Sequence, residues 1–380
     1  MLKLNDVIGT PIANGTMLLA LFQCIFVTGA GACLYKTVRH FADQKIAWIA
    51  YGFYFILGGL SAWIMIPYSD STGIIFPVFL FWLYVKLKET ESAKKKCVLL
   101  FLMFFLCYIG FEIKPMAAIV MIAVAAVEGI HFIGKLLKKQ IVWKKSVLAC
   151  CLSAVLGIGA AAGGVSAVVG SLHFPVVTDT VLGWQHHMML GLNKDTNGGY
   201  SQADFDYSTS FSSAEEQHAA ELKEIGKRLK DFGVGGYLQH FVKKSARNYF
   251  DGCFGWGGLG ETFYTEIFPE RGTVLCSLIR SLYYDNTEDT LYRYPALFRQ
   301  ILWYMVLVLV PFSVFTKRPL DKKRQVAVLS VLGLMLYLQI FEAHARYLYT
   351  FVPIFVFLAT EGIDNLRKYL NQKSERRVKK

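Results

Sequence analysis

The stretch CVLLFLMFFLCYIGFEIKPMAAIVMIAVAAVEGIHFIG, residues 97–134, contains two apolar runs separated by the short polar segment FEIKP. Each run approaches the roughly 20 residues that a helix needs to cross the hydrocarbon core of a bilayer. Pro115 and the charged Glu112 and Lys114 interrupt the apolar pattern, so the two runs predict a pair of membrane helices with a tight connection. The chain is therefore expected to be an integral membrane protein.

The same pattern continues on both sides of this helical pair. Of the 380 residues, 54% are hydrophobic and 15% are aromatic, and the mean hydropathy is +0.39. An ordinary soluble domain is excluded, because the apolar residues fall in long unbroken runs. We predict an α-helical polytopic membrane protein with about nine transmembrane helices and one large, mainly α extracytoplasmic domain. The predicted spans are residues 17–35, 46–66, 73–87, 97–113, 116–134, 146–172, 297–315, 326–341 and 347–363.

Basic residues are concentrated in alternate connections, and this asymmetry predicts the topology. Cytoplasmic loops are enriched in lysine and arginine. We therefore predict that the N-terminus and residues 173–296 lie outside and the C-terminal tail inside. The formal net charge of +12 then reflects topology and attraction to anionic membrane lipid, and we expect no nucleic-acid partner. The basic connections follow the first, third, fifth and seventh spans and include Lys36, Arg39, Lys45, Lys94, Lys95, Lys96, Lys138, Lys139 and Arg318.

These predictions divide the chain into four parts. Residues 1–172 form an N-terminal membrane domain with six spans, 173–296 an extracytoplasmic domain, 297–364 a C-terminal membrane domain with three spans, and 365–380 a basic cytoplasmic tail. Segment 173–296 holds 16 of the 28 acidic residues. Ser213 and Glu216 predict a capping box at the start of a helix that Gly233 ends. A second amphipathic helix is predicted to follow at 236–250.

Three charged residues lie at predicted outer helix ends, where ionisable groups are costly and therefore good functional candidates. Asp70, in IPYSDST, is either the N-cap of the third span or a catalytic group, and the two roles are compatible. Lys114 is either a snorkelling lysine that pairs with Glu112 or a cation for a lipid phosphate. Arg346 is either part of a structural ion pair or a bidentate phosphate ligand.

A second group of candidates follows the sixth span, in VLGWQHHMMLGLNKDTNGGYSQADFDYSTSF, residues 181–211. Aromatic and hydrogen-bonding side chains there resemble those of a carbohydrate site: Trp184, His186, His187, Asn193, Tyr200 and Asp206. The alternative is an interfacial aromatic belt followed by an ordinary polar loop. Two consecutive histidines do not favour joint metal ligation, so we expect no metal site.

Several familiar catalytic motifs are missing from the sequence. It contains no Walker loop, GxSxG, HExxH or CxxC pair. This disfavours an ATP-driven pump and a membrane zinc protease, and we expect no cofactor. Cys253 and Cys276 lie in the hydrophilic segment and either form a disulfide or remain free thiols.

Four short segments resemble GT-C glycosyltransferases of the dolichol-phosphate mannosyltransferase and aminoarabinose transferase type, in particular Gram-positive enzymes that decorate cell-wall polysaccharides. They are PYSDSTGIIFP at 67–77, GFEIKPMAAIV at 110–120, HHMMLGLNKDTNGGYS at 186–201 and ARYLYTFVPIF at 345–355. The resemblance implies that a sugar moves from a polyprenyl-phosphate donor to a cell-wall or surface glycan acceptor outside the membrane. Lys114 and Arg346 would then bind the lipid phosphate, and the residues of 184–206 would bind the sugar or the acceptor.

The beginning of the chain departs from this resemblance. In the GT-C class the first helix leads to a long outer loop that carries a catalytic Asp or Glu, whereas Asp6 is the only acidic residue here before the first span. We therefore expect that the sequence lacks the N-terminal part of the family and that the chain alone has no transferase activity. Asp70 is the reserve candidate for the base. The rival interpretations are a non-catalytic transporter or flippase component, and a polysaccharide polymerase or ligase.

The charge asymmetry makes the topology testable. In chains carrying Ser212→Cys or Ser374→Cys, a membrane-impermeant thiol reagent should label position 212 in intact cells and position 374 only after lysis. The unsubstituted chain is the control for its own eight cysteines. Labelling of Ser374→Cys from outside intact cells would reverse the predicted orientation.

Overall fold

Helices form nearly all of the regular structure in the computed structural model, which describes residues 12–66, 68–140, 145–171, 182–257, 273–284, 291–315 and 319–378. A 3-10 segment, Ala345–Phe351, leads directly into the last helix. No β-strand occurs in these ranges. In chain order the helices are α1 Ile12–Phe41, α2 Gln44–Tyr54, α3 Ser69–Glu89, α4 Ala93–Ile113, α5 Pro115–Leu137, α6 Lys145–Gly170, α7 Trp184–Gly191, α8 Gln202–Thr209, α9 Ala214–Tyr249, α10 Val274–Tyr283, α11 Arg293–Ser313, α12 Lys322–Ile340 and α13 Val352–Val378.

Eight helices of the described chain are long and apolar enough to cross a membrane. They are α1, α3, α4, α5, α6, α11, α12 and the unit formed by Ala345–Phe351 with α13. The prediction of an α-helical polytopic membrane protein is confirmed, and eight of the nine predicted spans are continuous helices. The side of the membrane on which each end lies, and the four-part division of the chain, stay predictions.

The second predicted span, residues 46–66, is broken. After α2 comes a π-helical turn at Phe55–Gly59 and then a 3-10 turn at Ala62–Met65. Glycine costs about 1 kcal/mol relative to alanine inside a helix, and two consecutive glycines end the π-helical turn FILGG. The end of the broken segment is held against α1, because the Gln23 side-chain amide donates to the Ile66 carbonyl at 3.0 Å.

The carbonyl groups freed by this break are bonded to protein side chains, as they must be where lipid supplies no water. The Tyr349 hydroxyl donates to the Gly58 carbonyl at 2.8 Å. The Leu60 carbonyl accepts from the Tyr283 hydroxyl at 3.1 Å and from the Arg299 guanidinium. Side chains from three distant parts of the chain therefore fix the broken segment.

The helix α13 lies at the centre of the bundle. The hydrophobic residues from Phe351 to Ala359 are at most 2% exposed, and the helix packs against α1, α2, α3, α11 and α12. Gly362 allows the close approach of α11, since a Cβ there would collide with the Leu309 carbonyl oxygen. The helices α4 and α6 form a peripheral pair that is in close contact at Gly157 and exposes most of its other apolar side chains, as lipid-facing helices do.

Ion pairs join the helix ends in the connections that the sequence marked as basic. Glu128 of α5 lies 3.0 Å from Lys88 of α3 and 2.9 Å from Lys322 of α12. Glu89 of α3 lies 3.2 Å from Lys323 of α12. These side chains are partly exposed, where one pair contributes only about 0–1 kcal/mol. We call this the basic end of the bundle, and the opposite end, where α3, α5 and α13 begin, the site end.

The segment between α6 and α11 contributes α7, α8, α9 and α10. A small hydrophobic core joins α7 to α9 and contains Met189, Leu192, Ile225 and Phe232. Arg228 of α9 ties in α8, because its guanidinium donates to both carboxylate oxygens of Asp204 at 2.7 and 2.9 Å.

The predicted helix boundaries inside α9 are confirmed. The Ser213 hydroxyl caps the helix by accepting from the Glu216 amide at 3.3 Å. Gly233 has φ of 56° and ψ of −178°, a backbone conformation that glycine adopts far more easily than other residues, and it divides α9 into two halves. The first half ends at the residue before Gly233, and the second half ends at Tyr249.

The loop at 251–257 is packed into the bundle at the site end. The Asp251 carboxylate accepts from the backbone amides of Cys253 at 2.7 Å and Gly255 at 2.5 Å. The Trp63 indole donates to the Phe254 carbonyl at 3.1 Å. Cys253 and Cys276 are both free thiols, which corresponds to the second of the two alternatives that the sequence left open.

Candidate functional site

Asp70 is buried in the first turn of α3. Its side chain is only 2% exposed. The helix begins after Tyr68 without a side-chain cap, so the interpretation of Asp70 as the N-cap is wrong. A carboxylate in the first turn gains from the positive end of the helix dipole. A buried charge nevertheless needs a closer counterion, and two cations supply it.

Lys114 and Arg346 both contact the carboxylate of Asp70. The Lys114 Nζ atom lies 2.6 Å from Asp70 Oδ1, and the Arg346 Nε atom lies 3.4 Å from Asp70 Oδ2. The structure therefore brings together the three charged residues that the sequence placed at outer helix ends. They come from the start of α3, from the α4–α5 junction and from the turn before α13.

The position of Lys114 follows from the chain break around it. The helix α4 ends at Ile113, and Pro115 opens the next turn, which leaves Lys114 with an extended backbone between two spans. The predicted pair with Glu112 is wrong. Glu112 is exposed and hydrogen-bonds to Tyr108, whereas Lys114 is buried and points to Asp70.

The guanidinium of Arg346 is surrounded by aromatic rings. Its Cζ atom lies 4.5 Å from the ring centre of Tyr68, 5.3 Å from that of Trp63 and 5.8 Å from that of Tyr347. Cation–π contact of this kind favours an arginine whose head is partly dry. The side chain donates no hydrogen bond of normal geometry within the described chain, and its buried Nε has no hydrogen-bond partner there. Arg346 is therefore held by charge contact with Asp70 and by aromatic rings.

A second acidic centre lies beside this cluster, in the turn between α12 and α13. Glu342 accepts a hydrogen bond from the Tyr347 hydroxyl at 2.8 Å, and its Oε2 lies 3.4 Å from Nδ1 of His187. Burial alone raises the pKa of the Glu342 carboxyl, but the contacts from His187 and Tyr347 outweigh burial, so the pKa is lowered overall. Glu342 is therefore ionised at neutral pH.

His344 has a backbone-positioning role in the same turn. Its Nδ1 accepts from the Arg346 amide at 3.0 Å and caps the 3-10 segment Ala345–Phe351. Burial, and then the positive charge of Arg346, lower the pKa of His344 to about 4. A neutral His344 adds no charge to the site and fixes the backbone from which Arg346 projects.

A cavity of about 280 Å³ lies at the site end, beside the residues described above. Lys114, Arg346, Glu342, His187 and Tyr347 form its polar wall, and the apolar wall is formed by Ile113, Met116 and Phe341 together with Tyr337. Two cations and one ionised carboxylate therefore face the cavity, and the second carboxylate, Asp70, lies behind the cations. Small pockets with a few convergent polar groups and an apolar wall are typical of ligand sites.

Among the six carbohydrate-type candidates, His187 lines this cavity and the others do not. His186 is 2% exposed and bonded to the Ser208 hydroxyl at 2.7 Å, and burial lowers its pKa, so it is a neutral core residue. The Asn193 side chain accepts from the amides of Asp195 and Thr196 and holds a turn.

The remaining three candidates lie on the surface of the segment. Trp184 is 54% exposed at the start of α7. The Tyr200 hydroxyl donates to Gln202, whose amide in turn donates to Asp206 at 2.8 Å, which makes an exposed hydrogen-bonded chain. This arrangement fits the alternative of an ordinary polar loop, and sugar binding by these residues stays a prediction.

The sequence interpretation missed the aromatic wall and the role of Glu342. Trp63 and Tyr68 lie seven and two residues before Asp70, and Tyr347 follows Arg346 directly. Aromatic residues are frequent throughout this chain, so these three were not distinctive. Glu342 is one residue of FEAHAR, and an acidic side chain between two apolar spans was the signal that could have identified it.

The described part of the chain contains no group of three or more His, Cys, Asp or Glu side chains that could hold a metal ion. The cluster at the site end has two carboxylates, and one of them, Asp70, is already in contact with the side-chain nitrogens of Lys114 and Arg346.

Comparisons with known proteins give a family but no activity. A family model described as "Conserved hypothetical integral membrane protein" matches residues 12–365. No curated protein and no solved structure matches the chain. The match covers seven of the eight spans completely, the last span as far as residue 365, the segment between α6 and α11, and every residue of the cavity.

The buried ion pair of Asp70 with Lys114 predicts how substitutions at Asp70 change the stability of the protein. Asp70→Asn removes the counterion of Lys114 and leaves a cation buried without compensation, which typically costs about 3–5 kcal/mol. We expect a clearly lower unfolding temperature for this variant in detergent or nanodiscs.

Two further variants control for this effect. Glu112→Gln changes an exposed carboxylate two residues from Lys114 and should shift stability by no more than about 0.5 kcal/mol. Adding Lys114→Met to Asp70→Asn removes the orphaned charge and should restore part of the loss. An Asp70→Asn protein as stable as the parent would contradict the assignment of a buried ion pair.

Proposed function

The chain belongs to this integral membrane family, and from that premise we propose that it transfers a sugar from a polyprenyl-phosphate donor to a surface glycan. The observation that carries the proposal is the state of Arg346. Its guanidinium lies in a cavity among membrane helices, held by aromatic rings, with its hydrogen-bond donors unused within the described chain. Planar guanidinium donors match a phosphate group in a two-pronged contact.

Lys114 supports the same ligand chemistry. One of its three N–H donors is directed to Asp70, and the others are available to an anion in the cavity. Asp70 sits between the two cations and keeps both heads at one place in the absence of ligand. A phosphate that bound here would contact both cations and would be screened little, since the site is mostly buried.

The apolar wall favours a lipid-linked phosphate over a free one. Ile113, Met116 and Phe341 line the cavity beside the cations, and they belong to helix ends that reach into the bundle. An isoprenoid chain can lie against such a wall while its phosphate reaches Lys114 and Arg346. On the predicted topology the site end faces outward, where sugar nucleotides are not available and a lipid-linked donor is required.

We assign the proton-accepting role to His187 rather than to Asp70. Asp70 is held by two cations and its side chain is only 2% exposed, so an acceptor hydroxyl has poor access to it. His187 is 45% exposed at its side chain and lines the cavity, and its Nδ1 faces Glu342. A proton on Nδ1 that points to this carboxylate leaves Nε2 free to accept another.

The proposed reaction is a single displacement. The acceptor hydroxyl oxygen attacks the anomeric carbon and gives its proton to Nε2 of His187, while the bond from that carbon to the phosphate oxygen breaks. The electron pair leaves with the phosphate, whose increased negative charge is stabilised by Lys114 and Arg346. Glu342 stabilises the imidazolium that forms.

The broken segment after α2 gives little support to the transport alternative. In transporters, unwound backbone carbonyls near the midplane often coordinate the substrate. Here the freed carbonyls of Gly58 and Leu60 are bonded to Tyr349, Tyr283 and Arg299. They are used for structure.

If Arg346 binds the donor phosphate, its removal should weaken donor binding strongly and lower the stability of the protein only slightly. Arg346→Ala should weaken binding of a polyprenyl-phosphate sugar by about 10-fold to 100-fold, since hydrogen bonds to charged groups contribute roughly 1.5–3 kcal/mol. Its effect on unfolding should be smaller than that of Lys114→Ala, which removes the closest counterion of buried Asp70. Affinity in nanodiscs and the unfolding temperature are measured for both variants.

Arg346→Lys distinguishes a phosphate ligand from a simple positive charge. It should recover only part of the affinity, because lysine cannot make the two-pronged contact. Full affinity for the donor in Arg346→Ala, together with lowered stability, would show that the residue is a structural ion-pair partner and would remove the basis of the proposal.

The base assignment predicts loss of turnover with donor binding retained. His187→Ala and Glu342→Gln should slow release of polyprenyl phosphate from the donor, with water or glycan as acceptor, by about 100-fold or more. Added imidazole should partly restore His187→Ala. Lys223→Ala, which alters an exposed residue of α9 outside the cavity, serves as the control. Unchanged turnover in His187→Ala would reject the assignment.

A further inference from the structure

The second half of α9, from residue 234 to Tyr249, has its polar and apolar faces reversed relative to a helix in water. His240, Lys244 and Asn248 are spaced four residues apart and are buried, at 4%, 0% and 0% exposure. In a water-soluble helix the buried stripe is apolar and the ionisable residues face outward. Here the ionisable stripe faces the protein.

Hydrogen bonds fix this inward polar stripe. Lys244 Nζ donates to the carbonyls of Gly191 and Gln339, both at 2.9 Å, and Nε2 of His240 lies 2.9 Å from the same Gly191 carbonyl. These carbonyls belong to the last turns of α7 and α12, which carry the negative ends of the helix dipoles. The orientation of the helix is therefore determined by polar contacts.

The outward face of the same half-helix is apolar. Val234, Leu238, Phe241 and Val242 share one face at helical spacing, and they are 83%, 62%, 40% and 66% exposed. Gln239 and Lys243 lie on a third face and are also exposed. The half-helix thus has one face toward the protein, one polar face and one exposed apolar face, which is the pattern of a helix lying in a membrane surface.

The short helix α10 shows the same unpartnered face. Val274, Leu275, Leu278 and Ile279 fall on one side of it and are 88%, 67%, 47% and 49% exposed. Ser277, Arg280 and Ser281 lie on the other side. Ten residues of helix are about 15 Å long, too short to cross a bilayer, so an apolar face of this size suits its surface.

Both helices adjoin α11, a membrane-spanning helix. The α9 end is fixed to it because the Trp303 indole donates to the Tyr249 carbonyl and the Tyr304 hydroxyl to the Phe250 carbonyl. The helix α10 packs against α11, and the Tyr283 ring lies 5.5 Å from the Arg299 guanidinium. The exposed face of α11 is apolar too, with Leu297 61% and Ile301 50% exposed. The exposed apolar faces of α9 and α10 therefore belong to helices that contact α11, whose own exposed apolar side chains are expected to face lipid.

We propose that the second half of α9 and α10 lie in the lipid–water boundary of the bilayer, on either side of α11, with these apolar faces against the acyl chains. The first half of α9 differs in character: Glu215, Glu216, Lys223, Lys227 and Lys230 are exposed there, as expected in water. The kink at Gly233 marks the change of medium. This inference is independent of any sugar transfer.

Photo-crosslinking within one helix tests the proposal. A benzophenone amino acid replaces Leu238 or Val242 on the apolar face of α9, or Gln239 or Lys243 on its polar face, and Leu278 or Ser277 in α10. The full chain is placed in nanodiscs of phosphatidylglycerol and phosphatidylcholine, irradiated and analysed by mass spectrometry. Position 301 of α11 is the positive control for lipid contact. Size-exclusion profiles identify any variant that fails to fold, and two apolar positions in α9 guard against the loss of one.

The expected result is phospholipid adducts at 238, 242 and 278 in yields comparable to position 301, with several-fold lower yields at 239, 243 and 277. Equal yields on both faces, or adducts at 301 without adducts at 238 and 242, would overturn the proposal. Crosslinks from the apolar positions to a second copy of the chain would show that these faces form a protein interface instead. Crosslinks to other parts of the same chain would show that they are covered internally.

Discussion

The site end of the molecule depends on compensating one buried charge, the carboxylate of Asp70. An uncompensated ion in such surroundings costs several kcal/mol, so α3 can bury this residue only if cations come to it. Lys114 arrives from the α4–α5 junction and Arg346 from the turn before α13. Three stretches that are far apart in sequence are therefore held at one point, and the cavity forms beside that point.

A related constraint explains the irregular backbone nearby. Where lipid replaces water, every carbonyl that leaves a helix must find a donor inside the protein. The break after α2 satisfies this requirement through Tyr349, Tyr283 and Arg299. Tyr349 belongs to the same 3-10 segment as Arg346, so the turn that positions the guanidinium also fixes the broken helix. The irregular elements at this end support one another.

Much of the fold could be predicted from the sequence because a bilayer imposes simple rules on length and apolarity. Those rules identified eight continuous spans, and they failed at 46–66, where composition gives no sign of a π-helical turn. The same rules marked Asp70, Lys114 and Arg346 as unusual, since charges are rare at such positions.

These rules could not identify the partner of each charged residue. Lys114 pairs with Asp70, 44 positions away in the sequence, rather than with Glu112, two positions away. Among the loop residues, only the fold decides that His187 faces the cavity while His186 next to it is buried.

The second half of α9 shows why periodicity alone leaves a helix underdetermined. Leu238, Phe241 and Val242 form an apolar stripe whose spacing is the same in a soluble domain and in a membrane surface. The stripe indicates that one face avoids water, but it does not say whether protein or lipid covers that face. The face toward the protein answers the question: Lys244 and His240 are buried there against carbonyl groups, so the helix already contacts the protein through a stripe other than its apolar one. Because the buried polar side chains of this helix are bonded inside the protein, its exposed apolar face needs a separate apolar surrounding. Next to α11, a membrane-spanning helix, we infer that this surrounding is lipid.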